Sequence, residues 1–286
     1  MTNESSVANK TPIQALQERS RDQGERTAMV QPLGEGEVRH YTWQQVSDEA
    51  HRMASYLQQQ GLQRGERVAL VSKNCAEWII ADLAIWIAGG VSVPLYPTLV
   101  ADSVRQILEH SESRLLFVGK LDDWDLMKEG VPDEVKQIAF SLAPEVVCAK
   151  EPNWADIIAG QEPLAEPFAP EPNELATIIY TPGTAGVPEG GMHEYKSLAS
   201  VGDKVVRVYN MQPDDRMISY LPLSHVAERA AVLDILSDGR VDLGTGRSTT
   251  LTEMDGFEVD PEQTKAQWRE SIGMIPEMRT QDPPSR

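Results

Sequence analysis

Strand and helix patterns alternate between residues 40 and 120, and this alternation constrains the fold more than any other feature of the sequence. Arg67 to Ser72, Val91 to Tyr96 and Arg114 to Val118 have the apolar, β-branched composition of buried strands. Helical spacing separates them, most clearly from Cys75 to Ala88. Strands that alternate with helices of this length form βαβ units. The sequence therefore predicts an α/β fold with a parallel sheet.

Local signals set the expected boundaries of these elements. Thr42 and Gln45 have the spacing of a capping box, so a helix is predicted to begin after Thr42 and to end near Gly61. Pro94 lies inside the second strand pattern, and because proline cannot donate to a ladder, it predicts an edge or a bend there. A further strand is predicted from Leu175 to Thr181.

Composition narrows the functional classes. The chain has 44 Asp and Glu against 26 Lys and Arg, which gives a formal net charge of −18. No run of Lys and Arg is long enough to bind a phosphate backbone, so nucleic acid is not an expected partner. Cys75 and Cys148 cannot make a disulfide framework and suit a reducing compartment. The first ten residues show no secretory signal. We therefore expect a cytoplasmic chain.

No transmembrane segment is expected either. The most apolar stretch runs from Trp78 to Ala88 and is interrupted by Asp82. It is shorter than the roughly 20 apolar residues that a membrane-spanning helix needs.

Residues 122–174 have a different character. They hold 13 acids and 3 bases, with prolines at 163, 167, 170 and 172. We interpret them as a solvated, acidic, proline-rich connection on the surface that contains a helix or two.

A glycine-rich loop follows the strand that ends at Thr181. Residues 180–191 read YTPGTAGVPEGG. In open α/β sheets ligands bind outside the carboxyl ends of the strands, and loops of this composition offer N–H groups and hydroxyls to phosphate oxygens. On the loop alone, a phosphate site and an ordinary glycine turn fit equally well.

Four separated blocks resemble the AMP-forming, adenylate-forming synthetases, and most of all the long-chain fatty-acid–CoA ligases. They lie in the family's order over about residues 40–229 and read YTWQQVSDEAHRMASYL, GERVALVSKNCAEWIIADLAIWIAGGVSVPLYPT, ELATIIYTPGTAGVPEGGM and DRMISYLPLSHVAER. The resemblance implies that a fatty acid is activated with MgATP to an acyl-adenylate, that pyrophosphate is released, and that the acyl group passes to coenzyme A. It thereby implies ATP, Mg²⁺ and coenzyme A as cofactors and a fatty acid as substrate.

The same resemblance assigns the loop to the nucleotide phosphates. The family's loop reads YTSGTTGxPKG, and the matching residues here are Thr181, Gly183, Thr184, Gly186 and Gly190.

Three residues depart from that pattern. Pro182 removes a backbone donor and a hydroxyl, and Ala185 removes a second hydroxyl. Glu189 replaces a cation by an anion, and two unit charges about 4 Å apart interact by roughly 4 kcal/mol at an effective dielectric constant of 20. We therefore predict weak triphosphate binding.

His225 lies in the LPLSHVAER block, which in the resembling enzymes lies beside the acyl pocket. A structural histidine at a strand end fits this position as well. The four remaining histidines show no metal-ligand spacing with acids or cysteines; they are His40, His51, His110 and His193. The sequence therefore assigns no catalytic residue and no metal ligand.

A second resemblance begins where the first one stops. The sequences VAERAAVLDILSDGRVDLGTGRS and GFEVDPEQTKAQWRESIGMIPEM resemble the luciferase-like flavin monooxygenases, which are TIM barrels. Spacing predicts a helix over 227–236, a strand over 241–244 and a helix over 261–278. This is about one of the eight βα units of a barrel, so the fragment resembles one TIM-barrel unit and FMN is not expected to bind.

The two patterns meet at Val226–Arg229, which fits both families, and we interpret the chain as a chimera joined there. We divide it into an incomplete synthetase-like domain over 1–229 and a luciferase-like fragment with a frayed end over 230–286. The expected function is that of a truncated long-chain fatty-acid–CoA ligase homologue with weak or no activity. The ligases' further nucleotide motifs and their domain with a catalytic lysine are not expected downstream of this junction.

Two alternatives remain at this point. The chain is a non-catalytic nucleotide- or acyl-binding or interaction module, or, ranked last, a flavin monooxygenase fragment. An incomplete sheet exposes an unpaired edge, so self-association or aggregation is also expected.

Overall fold

Two β-sheets and the helices packed on them make up the structure, which is a computed structural model. It describes residues 10–34, 36–181, 188–200, 216–219, 221–225, 229, 232 and 240–242. All of these fall within one compact unit that runs from Met1 to Thr245.

Helices and strands alternate along the described residues, and 195–200 are also helical. In chain order the elements are α1 Pro12–Gln23, β1 Thr27–Gly34, β2 Glu37–Thr42, α2 Trp43–Gln59, β3 Arg67–Val71, α3 Ala76–Ile87, β4 Val91–Leu95, α4 Ala101–Ser111, β5 Leu115–Val118, β6 Lys136–Ala139, α5 Glu145–Cys148, α6 Trp154–Gly160, β7 Leu175–Thr181, β8 Glu189–Glu194, β9 Arg216–Ile218 and β10 Arg240–Asp242, with 3-10 turns at Trp124–Leu126 and Lys128–Gly130.

The larger sheet has six strands in the order β6-β5-β3-β4-β7-β8. The first five are parallel, and β8 runs antiparallel to β7. The predicted α/β fold with a parallel sheet is confirmed. Pro94 does not mark an edge as predicted, because β4 lies between β3 and β7. Its missing N–H is tolerated because the β4–β7 partner pair, Ser92 and Thr177, lies nearer the start of the strand.

The core forms around α3, whose residues are all buried. This helix contacts α1, α2, β1 and β4, so little of its surface faces water. Helix α2 begins with the predicted capping box: Gln45 N–H donates to Thr42 Oγ1, and Thr42 N–H donates to Gln45 Oε1. Its apolar face then packs on α3.

The smaller sheet has the order β2-β1-β10-β9. Strand β10 is parallel to both neighbours and overlaps the strand predicted over 241–244. Residues that follow the predicted junction at 226–229 therefore pair within this sheet. The predicted helix over 261–278 lies outside the described residues.

Residues 122–174 contribute more to the core than a surface connection would. Their segment Lys136–Ala139 forms β6, an unpredicted strand of the larger sheet, while α5 and α6 agree with the expected helices. Phe140 and Trp154 are buried and pack edge to face with their ring centroids 5.4 Å apart. These apolar residues were not predicted to be buried, because they are widely spaced in an acidic sequence and form no continuous apolar run.

Two buried carboxylates lie beside this aromatic cluster. Glu49 on α2 accepts from Trp154 Nε1 over 2.9 Å and pairs with Arg39 over 3.0 Å. Glu77 on α3 accepts the N–H of Ser141 over 2.7 Å. Burial raises the pKa of both carboxyl groups above the ordinary glutamate value.

Glu77→Gln should change how stability depends on pH. Because the folded-state pKa of Glu77 is raised, the neutral acid favours folding below the unfolded-state pKa, and this contribution is lost as pH rises through the folded-state pKa. We expect the variant to match the wild type near pH 4 and to become progressively more stable than it towards pH 7. Urea denaturation at several pH values measures this difference.

Glu145→Gln, at an exposed glutamate on α5, is the matched control and should change stability little at any pH. A stability difference for Glu77→Gln that stays constant across the pH range would contradict the assignment.

Candidate functional site

A β-hairpin presents the predicted phosphate loop. Strands β7 and β8 pair antiparallel, and Thr181 lies opposite Glu189 where the loop begins and ends. Pro182, Gly183, Thr184, Ala185 and Gly186 lie outside the described residues. Thr181, Glu189 and Gly190 are described, at the carboxyl end of β7.

Thr181 and Glu189 place a hydroxyl and a carboxylate side by side. Directly opposite residues of an antiparallel pair point to the same face, with Cβ atoms about 4.5–5.5 Å apart. Both residues are exposed. The entrance to the loop therefore carries a negative charge where the family pattern has a positive one.

The Tyr180 side chain packs against the hairpin at Gly190. It is buried, and its hydroxyl lies 2.6 Å from Nδ1 of His110 at the end of α4. Burial raises the pKa of Tyr180, so the ring stays a neutral phenol. Its face covers Gly190, where an added Cβ would come within 3.1 Å of Tyr180 Cζ and 2.9 Å of Ile178 Cγ2.

Gly190→Ala is expected to lower the free energy of unfolding by about 1–3 kcal/mol, because the methyl group overpacks this contact. The Tyr180 ring cannot retreat without disturbing its bond to His110. Gly191→Ala is the control, since its Cβ would meet nothing closer than 3.5 Å and should cause no loss. Equal stabilities of the two variants in urea denaturation would contradict the packing argument.

Asn74 connects the strand β3 to the segment that precedes His225. It follows β3 by three residues, and its Nδ2 donates to the Leu221 carbonyl over 2.7 Å. Its Oδ1 accepts the N–H of Leu223 over 3.0 Å. Leu221 and Leu223 are therefore held at the carboxyl edge of the larger sheet.

His225 follows this segment and is exposed. Its N–H donates to the Pro222 carbonyl over 2.8 Å, and its own carbonyl accepts from Arg229 N–H over 3.1 Å. Because β3 and β7 are parallel and end at the same edge, residues 221–225 and the described ends of the predicted loop, Thr181 and Glu189, share the carboxyl side of the sheet.

Arg229 forms an ion pair with Asp82 in the centre of the fold, and both side chains have no exposed area. Arg229 Nε and Nη2 donate to the two carboxylate oxygens of Asp82. Nη2 also donates to Ser92 Oγ, and Nη1 donates to Thr177 Oγ1 over 2.7 Å. The guanidinium lies 5.0 Å from the centre of the Trp86 ring.

This pair was not predicted from the sequence. A usable signal was present, since Asp82 is an acid in an otherwise apolar buried helix, and such an acid needs a buried cation or hydrogen-bond donors. Nothing local identified Arg229, 147 residues away, as the partner.

The described residues fit a magnesium triphosphate poorly. Thr181 offers a hydroxyl, but the Glu189 carboxylate beside it would repel phosphate oxygens. Among the side chains that the structure describes, no three His, Cys, Asp or Glu come together as a metal site. Trp78 Nε1 and Ser224 Oγ, both buried near the His225–Arg229 turn, have no hydrogen-bond partner in the described part of the chain.

Five parallel strands, one antiparallel edge strand and the helices between them define an α/β fold. A family model described as AMP-binding enzyme matches residues 16–241, and a model described as luciferase-like monooxygenase matches residues 217–285. The chain belongs to the AMP-binding enzyme family. The two matches overlap over 217–241, a region that contains the predicted junction.

Relatives match most of this chain in sequence, and solved structures share its fold. Fatty acyl-CoA synthetase A of Dictyostelium discoideum is 31% identical over 215 residues, covering 70% of this chain and 32% of that protein. Human long-chain-fatty-acid–CoA ligase 1 is 28% identical, with coverage of 70% and 32%. The anthranilate CoA ligase AuaEII in complex with anthranoyl-AMP has a TM-score of 0.74 at 20% identity, covering 90% of this chain and 50% of that one. The chain spans about a third of the length of the curated relatives it matches.

Within the described ranges, no helix combines the length and apolarity needed to cross a bilayer.

Proposed function

We propose that the chain carries the N-terminal part of a long-chain fatty-acid–CoA ligase, joined to a short luciferase-like segment, with a nucleotide site that binds MgATP weakly. Weak binding of MgATP is inferred from the position of Glu189, which lies directly opposite Thr181 at the loop entrance. Family membership and acyl-CoA synthetase relatives support the ligand class: ATP, Mg²⁺, coenzyme A and a fatty acid.

The residues proposed to bind the phosphates are Thr181, Gly183, Thr184, Gly186 and Gly190. His225 is proposed to line the acyl pocket, and its place at the carboxyl edge of the sheet supports this role. MgATP, when bound, would supply the adenylyl group that activates the acid, and the Glu189 carboxylate does not fit the charge of its phosphates.

The truncation is also part of this proposal. The luciferase-like match begins at residue 217 and the AMP-binding match stops at residue 241, so the family pattern is replaced within the chain. We infer that acyl-adenylate formation is weak or absent in this form.

An assay of acid-dependent pyrophosphate release tests the proposal. With palmitate and MgATP, we expect release close to the blank for the wild type. Release at the rate of an intact long-chain ligase would contradict the impairment. Detectable but slow release that depends on the fatty acid would support a weak ligase over a purely non-catalytic module.

The alternative is a non-catalytic nucleotide- or acyl-binding module with the same fold. It predicts adenylate binding with no pyrophosphate release after any repair of the loop. A flavin monooxygenase fragment is ranked below both, and a purified chain that carries bound FMN would support it. Self-association and a cytoplasmic location stay predictions, which light scattering and cell fractionation test.

A further inference from the structure

A buried ion pair joins the segment around His225, here the described residues 221–225 and 229, to the larger sheet. Arg229 follows His225 by one helical turn, and the hydrogen bond between their backbones holds them in that turn. The Arg229 side chain then reaches three other elements: Asp82 on α3, Ser92 on β4 and Thr177 on β7.

These hydrogen bonds fix the orientation of the Arg229 side chain as well as its position. A guanidinium is a planar fork of donors, and here it bonds both carboxylate oxygens of Asp82. Its hydroxyl acceptors are themselves held in place, since Thr177 Oγ1 donates to the Ser92 carbonyl over 2.8 Å and Ser92 Oγ donates to the Ala176 carbonyl over 3.4 Å. A rotation of the Arg229 turn would break several of these bonds together.

We propose that Arg229 is a positioning residue that, with Asp82, Ser92 and Thr177, sets where His225 lies at the carboxyl edge of the sheet. Asn74 holds the same segment from its other side, so His225 lies between two polar attachments. The part of this inference that concerns an acyl-adenylate at that edge rests on the proposed function; the positioning itself does not.

Arg229 is also the last residue of the stretch that fits both families. A chain joined there keeps Arg229, the residue that pairs with Asp82. The position of the junction is therefore compatible with a correctly placed His225.

The competing explanation is that the pair only stabilises the core. The double variant Asp82→Leu/Arg229→Met separates the two explanations, because apolar residues of similar volume often replace a buried ion pair without loss of stability but make no directional bonds. The control is Asp48→Leu/Arg52→Met, which removes an ion pair on the surface of α2.

Two readouts report on the segment itself: amide hydrogen exchange over 219–232, and the NMR signal of the His225 imidazole, assigned with His225→Gln. We expect the double variant to unfold cooperatively, to exchange at least tenfold faster over 219–232, and to show a shifted or doubled His225 signal. The control should keep wild-type exchange and signal. Wild-type values in the double variant would overturn the proposal.

If the double variant does not fold, Arg229→Lys takes its place, since it keeps a paired charge but loses the fork. It should then show the faster exchange over 219–232, and wild-type exchange would overturn the proposal.

Titration with a hydrolysis-resistant palmitoyl-adenylate analogue adds the ligand. We expect binding at least tenfold weaker in the double variant than in the control. Equal binding would overturn the link between the positioning and the ligand. If the wild type itself fails to bind the analogue, the proposed function fails, while the exchange and NMR results still decide the positioning.

Discussion

Asp82→Asn is expected to lower the free energy of unfolding by about 3 kcal/mol, because it leaves the Arg229 guanidinium buried without its counter-charge. In a unit of this size that corresponds to a melting temperature lower by roughly 6–12 °C. Ser92 and Thr177 still accept hydrogen bonds from Arg229, but neither carries a charge. Denaturation followed by circular dichroism measures the loss.

Asp48→Asn is the matched control. Asp48 pairs with Arg52 over 2.7 Å on the surface of α2, where its side chain is 38% exposed. Such pairs contribute under about 1 kcal/mol. If both variants lose the same small amount, the central pair does not have the energetic role that its burial indicates.

The triple variant Pro182→Ser/Ala185→Thr/Glu189→Lys should bind MgATP at least about tenfold more tightly than the wild type, a gain of about 1.4 kcal/mol. It restores two hydroxyls and replaces an anion by a cation at the loop entrance, opposite Thr181. Isothermal titration calorimetry at fixed ionic strength gives both dissociation constants.

Glu194→Lys is the control for overall charge. It makes the same change of charge on the same strand, but at the far end, opposite Leu175. It should leave MgATP affinity nearly unchanged. A triple variant that binds no more tightly, or a control that gains as much, would remove the phosphate role from this loop.

Strands β3, β4, β5 and β7 of the larger sheet, and the helices α2 and α3, were predictable because their signals are local, whereas β6 and β8 were not predicted. The capping box at Thr42, the apolar run of α3 and the strand Leu175–Thr181 each depend on neighbouring residues, and each matches the structure. Pro94 shows the limit of such signals. A proline predicts a missing donor, but only the pairing register shows whether an interior strand can tolerate it.

The smaller sheet was not predicted as a sheet, because β9 and β10, from a distant part of the chain, join the local pair β1 and β2. Strand β10 has three residues, and its pairing with β1 joins positions about 210 apart, as Met29 with Val241. The Asp82–Arg229 pair also joins residues that are far apart in the sequence. A sequence pattern identifies a group that needs a partner, but the fold decides which distant residue supplies it.

The candidate site was predicted in part. Glycines and a strand end indicated a ligand loop, and the resemblance assigned it to phosphates. The register that places Glu189 opposite Thr181 appeared only in the structure, as did the support of the hairpin by Tyr180 and His110.

A thermal melt of the purified chain, with and without a hydrolysis-resistant palmitoyl-adenylate analogue, tests most directly whether this chain forms a synthetase-type pocket. We expect one cooperative transition that the analogue raises, since a ligand at about 100 times its dissociation constant stabilises the native state by about 2.7 kcal/mol. A broad transition, or a cooperative one that the analogue leaves unchanged, would contradict it.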